Sequence, residues 1–116
     1  MNEYNWDQRI LEHIISYCQQ IEEAVSRFGN DFDLFEQDAV YHNAVSLCIL
    51  QIGELVGNLT EDYRVQHKEI PWREIKLMRN IVAHRYDTVD HSITWDVVEK
   101  DIPTLKQFCL KQLSNN

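Results

Sequence analysis

Apolar residues recur every three or four positions along most of this chain. Trp6, Ile10, Ile14, Tyr17, Ile21, Val25 and Phe28 form one stripe, the spacing of a helix with a single buried face. They predict a first helix from about Tyr4 to Phe28, stopped by Gly29-Asn30. Asp31 to Asp33 read as the connection, with Asp33 a candidate N-cap. Tyr41, Val45, Cys48, Ile52, Leu55 and Leu59 then alternate steps of four and three. They predict a second helix ending near Leu59, an antiparallel partner for the first. From Thr60 to Ile70 the sequence is polar and irregular. Pro71 suits the first position of a third helix, where its missing N–H costs nothing. That helix carries Trp72, Ile75, Met78 and Val82 on one side and should end between His84 and Tyr86. Asp87 to Asp90 form a loop. A last helix runs from His91 or Ser92 towards Leu113, with Pro103 either kinking it or starting a new segment. The expected fold is all-α, an up-and-down bundle of four or five helices in one domain spanning residues 1–116.

Composition agrees with this pattern. Three Gly and two Pro in 116 residues leave few turns, which disfavours many short strands. A chain of this length can bury a core but not a generous one, so a dimer that covers more surface is expected. Cys18, Cys48 and Cys109 are odd in number and widely spaced, each within an apolar-periodic stretch. They read as small buried hydrophobes rather than as a disulfide framework or a metal site. The polar start, Met1 to Asp7, lacks the apolar core of a signal peptide. No run approaches the roughly 18 apolar residues of a membrane span. A cytoplasmic protein with no membrane partner and no cofactor is expected.

Charge changes the picture locally. A formal net charge of −8 argues against a general nucleic-acid coat. Between Arg64 and Arg85, however, six basic residues (Arg64, Lys68, Arg73, Lys76, Arg79, Arg85) face two acidic ones (Glu69, Glu74). That segment is the one suited to meet a phosphate, although a solvated helix face would read the same way.

Within it lies Met78-Arg79-Asn80-Ile81-Val82-Ala83-His84-Arg85-Tyr86. At about 100° per residue, Asn80 and His84 share one face, while Arg79 and Tyr86 share another, nearer the Ile75–Val82 stripe. His84 is thereby directed away from its own bundle. Arg plus His suffices for RNA cleavage without a metal. An imidazole, which titrates near 6.5, can take a proton from a ribose 2′-hydroxyl or give one to the leaving oxygen. A guanidinium can hold the scissile phosphate by two bonds and stabilise the charge that builds on it. One His cannot readily make both proton transfers, so the mechanism calls for two copies brought together across a two-fold axis. By spacing alone, His84 reads more readily as a capping or surface residue at a helix C-terminus.

The wider pattern is more specific. Ile70-Pro71-Trp72-Arg73-Glu74-Ile75, followed by the Met78–Tyr86 stretch, closely resembles the signature of the HepT-like family within the HEPN superfamily. The family's Arg-x4-His-x-Tyr motif is matched at Arg79, His84 and Tyr86, with Asn80 as the polar residue after the Arg. Ile52-Gly53-Glu54 looks like the family's Ile-Gly-Glu. Val89-Asp90 and Lys100-Asp101-Ile102-Pro103 resemble its C-terminal region. The resemblance implies a helical homodimer whose Arg/His motifs line a cleft, with metal-independent ribonuclease activity. It also implies the toxin role in a toxin–antitoxin pair, opposite a nucleotidyltransferase antitoxin. Such an antitoxin can transfer AMP to the motif tyrosine, here Tyr86, and the added negative charge would repel RNA and occupy the guanidinium.

Other features carry less. Glu54 could orient His84 or Arg79. The plainer reading, that Gly53 permits a close helix contact while Glu54 is solvated or paired, is preferred. His13, His42, His67 and His91 have no metal-ligand spacing, and none follows an Asp or Glu by three residues. Trp6, Trp72 and Trp95 read as core or interface anchors rather than as a base-stacking platform. Two rival functions stay open. One is a non-catalytic helical binding module for a nucleotidyltransferase; the other is a purely structural dimer.

Overall fold

The computed structural model describes residues 6–84 and 90–115, and for residues 81–84 the backbone alone. Among the described residues every regular element is helical. Helix α1 (Trp6–Phe28) buries Ile10, Leu11, Ile14, Ile15, Cys18, Ile21 and Ala24. It ends at Gly29, whose φ of +116° is one that L side chains rarely adopt.

The connection that follows is more structured than the sequence pattern suggests. Asp31, not Asp33, caps a short helix α2 (Phe32–Gln37), its carboxylate accepting from Leu34 N–H at 3.1 Å. Asp38 then caps α3 (Ala39–Asn58), accepting from Val40 N–H at 3.0 Å and Tyr41 N–H at 3.3 Å. Three nearby aspartates could all serve as caps, and burial of Phe35 decides which turn is taken. Thr60 caps a second short helix, α4 (Glu61–Gln66), inside the stretch expected to be irregular. Helix α5 (Trp72–His84) begins one residue after Pro71, whose carbonyl accepts the Ile75 N–H at 3.1 Å.

The C-terminal run consists of α6 (His91–Asp96), a π-helical turn (Val97–Asp101) and α7 (Ile102–Ser114), without a break. Pro103 accounts for the π turn. A proline clashes with the carbonyl four residues before it. Widening the turn, so that Ile102 N–H reaches back five residues to Val97 O, relieves that clash.

The four long helical stretches form the bundle, with α2 and α4 as short connectors. α3 is central, packed between α1 and α5, while α1 also packs on α7. Among the described residues α3 is the one helix long and apolar enough to cross a membrane. His42, Asn43, Gln51 and Glu54 interrupt it, so it is not an unbroken run of roughly 18 apolar residues. Its apolarity is that of a core helix, with Tyr41, Val45, Cys48, Ile49, Ile52 and Val56 all buried.

Candidate functional site

The close approach of α3 and α5 sets the site. Trp72 anchors the start of α5. Its indole N–H donates to His67 O at 2.9 Å, and its ring packs on Phe108 with centroids 5.7 Å apart. Ile75 and Met78 then lie against the core. One residue further, Arg79 crosses Gly53 of α3. A Cβ at Gly53 would lie 2.8 Å from Arg79 Cγ and closer still to its Cβ, so the crossing requires a residue without a side chain. The two helices run antiparallel here, since Gly57 faces Lys76 as Gly53 faces Arg79.

The aliphatic part of Arg79 thus rests on bare α3 backbone, and its guanidinium emerges at the edge. There Nη2 pairs with Glu54 Oε2, while Nη1 donates to Asn80 Oδ1 at 2.9 Å. Arg79 keeps 34% of its side chain exposed and Glu54 52%. The pair is therefore a surface ion pair, worth about 0–1 kcal/mol to folding. Its main consequence is orientation. Among the described residues two of the five N–H donors of the guanidinium are engaged. Beside it, Gly53, Glu54, Gly57, Asn58, Lys76 and Arg79 line a polar cleft of about 250 Å³.

The structure thus brings Glu54, Arg79 and Asn80 together. The plainer reading of Ile52-Gly53-Glu54 describes what is seen: the glycine permits the close crossing, and the carboxylate is paired with Arg79. Asn80 reaches the Arg79 guanidinium although the helical wheel puts it on the neighbouring face. His84 is the last residue of α5, and its side chain lies outside the description. Tyr86 lies outside the described residues altogether. The sequence marked Lys76 only as one of six basic residues and did not single out Gly57 or Asn58, although Lys76 stands one turn before Arg79 and Gly57 one turn after Gly53.

Other candidate chemistry lies elsewhere. Cys18 and Cys109 are pushed up to about 12 by burial, and Cys48 is raised for the same reason. None of these thiols is an activated nucleophile. His42 and His91 stack with ring centroids 4.1 Å apart beside Phe35, at the junction of α2, α3 and α6. Among the described residues no three His, Cys, Asp or Glu side chains gather to hold a metal. A gap of about 270 Å³ between α3, α5 and α7 is lined mainly by Ile49, Ile52, Ile75, Met78 and Leu105. The carboxylates of Glu74 and Asp101 also line it, so it is unsuited to a phosphate.

The model of the family described as ribonuclease HepT-like matches residues 10–111 of this chain. A protein of Caldanaerobacter subterraneus subsp. tengcongensis, named provisionally as an RNase, is 37% identical over 97 residues, which are 84% of this chain and 85% of the relative. A Thermococcus cleftensis protein named a probable ribonuclease HepT is 38% identical over 96 residues, covering 83% of this chain and 86% of that one. A Methanocaldococcus jannaschii protein is 40% identical over 104 residues, or 87% of this chain. That relative is named a gamma-glutamylcyclotransferase and provisional RNase, and the match spans only 45% of its length. No solved structure matches the chain.

Proposed function

Because this chain belongs to the ribonuclease HepT-like family, an enzyme class that cleaves RNA, we propose that Arg79 and His84 form its catalytic centre and that it acts without a metal as the toxin of a toxin–antitoxin pair. The observation that carries this reading is the seating of Arg79. Its stem is fixed on Gly53 and its guanidinium is held from two sides by Glu54 and Asn80. That arrangement pre-sets a bidentate donor for the scissile phosphate and for the charge that builds on it. His84 follows five residues later in the same helix, at its end. A neutral imidazole there accepts the 2′-hydroxyl proton, and a second, protonated copy gives one to the leaving oxygen.

That second copy comes from a homodimer, for which the surface beside the site is suited. Val40, Leu47 and Glu54 are spaced by seven along α3 and so lie along one face. Val40 is 66% and Leu47 56% exposed. On α5, Leu77 is also exposed, and His84 comes two turns after it. An apolar strip leading to the Arg79–Glu54 pair fits a two-fold contact that brings both sites into one cleft. Tyr86 is the acceptor for AMP from a nucleotidyltransferase antitoxin. The modification silences the site by adding negative charge that repels RNA phosphate and competes for the guanidinium.

The test is to incubate the protein, with Tyr86 shown unmodified by mass, with total RNA in EDTA beside its His84→Ala variant. Discrete fragments from the parent alone are expected. Fragments from both would remove His84 from the chemistry, and fragments from neither would leave a binding module for the nucleotidyltransferase.

A further inference from the structure

We propose that Lys76 binds a second, non-scissile phosphate of the RNA in the cleft where α5 crosses the glycines of α3, an inference that rests on the RNA-cleaving reading above. Lys76 precedes Arg79 by three residues, so the two stand on nearly the same face of α5, about 4.5 Å apart along its axis. Gly53 and Gly57, four residues apart, likewise share one face of α3. The two pairs meet, Gly53 under Arg79 and Gly57 under Lys76. A Cβ at Gly57 would sit 3.7 Å from Lys76 Cε and 3.9 Å from Nζ. The lysine stem therefore lies over the second glycine, with its ammonium at the cleft wall and the side chain still exposed.

The charges in the cleft are unevenly committed. Its one carboxylate, Glu54, is held by Arg79. Lys100 and Lys106 are paired with Asp96 and Glu22. Among the described residues no ion pair engages Lys76. A chain of net charge −8 repels RNA at long range, so binding must come from a few local cations. A lysine one turn from the arginine that takes the scissile phosphate is such a cation. Its compact ammonium suits a phosphate that is held but does not react.

The experiment uses a 2′-O-methylated oligoribonucleotide, which has no 2′-hydroxyl to attack and stays intact. Its affinity is measured by fluorescence anisotropy across a salt series. Lys76→Gln should flatten the dependence of log affinity on log salt by about 0.7, one single-strand phosphate contact, and Lys76→Arg should restore it. Gly57→Asp, whose Cβ would make ordinary van der Waals contact with the Lys76 stem, should copy the loss by supplying a rival carboxylate to Lys76. With unmodified RNA, the defect of Lys76→Gln should fall mainly on KM. An unchanged slope in Lys76→Gln, from a parent that does cut RNA, overturns this inference alone. A parent that binds with a Lys76-dependent slope but cuts nothing overturns the nuclease reading and leaves the phosphate contact standing. A folded parent that does not bind the oligonucleotide overturns both.

Discussion

At its N-terminal end α3 presents Tyr41 to a knot of rings. Phe28 stacks on it and Phe35 meets it edge-on, each with centroids 5.0 Å away, and Trp95 closes the group at 6.3 Å. The phenol donates to Gly29 O at 2.8 Å. Toward its C-terminal end the same helix presents Gly53 and Gly57, and what packs there are the stems of two cationic side chains. The first arrangement buries large apolar area with its polar atom satisfied, which is how a small domain gains stability. The second forgoes side-chain packing on α3 so that a charge can be held at a fixed place near the surface. One helix therefore joins a stabilising end to a positioning end, and substitutions at the two should separate folding from activity.

The largest effect should come from the aromatic end. Tyr41→Ala removes a fully buried ring and leaves a cavity among Phe28, Phe35 and Trp95, at a cost of about 3–5 kcal/mol by the scale of other aromatic truncations. Denaturant unfolding should read that loss, while RNA cleavage per folded molecule should stay near the parent value. A matching fall in cleavage would mean that the two ends are not separate.

Gly53→Ala probes the positioning end and should cost less in stability. The added methyl meets Arg79 Cβ and Cγ, atoms fixed close to the α5 backbone, so the helices must part or the arginine must move. Overpacking costs about 1–3 kcal/mol, and replacing a mid-helix Gly with Ala returns about 1 kcal/mol. The net loss should therefore be at most about 2 kcal/mol, well below that of Tyr41→Ala. Cleavage should nevertheless fall by more than tenfold, because the guanidinium leaves its seat. A variant with full activity would show that the close crossing does not position Arg79.

The stripes on α1 and α3 were legible because burial of one face imposes a period that the sequence records directly. The short helices α2 and α4 were not, since each depends on which of several possible caps is used. Asp31, Asp33 and Asp38 are all chemically fit, and the choice rests on burial of Phe35, a tertiary event. Likewise Pro103 announces a disturbance but not its form. At the site, Arg79, Asn80 and Glu54 each stood out, yet the contact between Glu54 and Arg79 joins two helices and has no local signature. Gly57 stayed hidden for the same reason, and Lys76 was legible only as one of six basic residues in its segment. Each is unremarkable on its own helix and gains meaning only once Gly53 fixes how α3 and α5 cross.

The smallest effect sharpens the comparison through pH. Burial, and then the neighbouring His42, hold the His91 imidazole below its ordinary value, against the opposing pull of Glu36 and Asp90. Among the described residues its buried Nδ1 has no hydrogen-bond partner, and the Phe35 ring stands beside both imidazoles. The fold therefore favours neutral His91, whereas the unfolded chain takes up the proton near pH 6.5. This contribution to stability is complete above that pH and declines as pH falls through it. Asp90 acts in a separate window. Hydrogen bonds from Ser92 hold its carboxyl below the usual range, so its contribution is present above about pH 4 and is lost only in more acid solution. Unfolding midpoints measured from pH 8 to 3, in a His84→Ala background so that the proposed catalytic imidazole does not contribute, should decline below about pH 6.5, with a separate acid limb below about pH 4. His91→Gln should remove that decline and leave the acid limb unchanged. If the decline persists in His91→Gln, the stacked pair does not govern it, and the aromatic end resists acid as well as its packing resists denaturant.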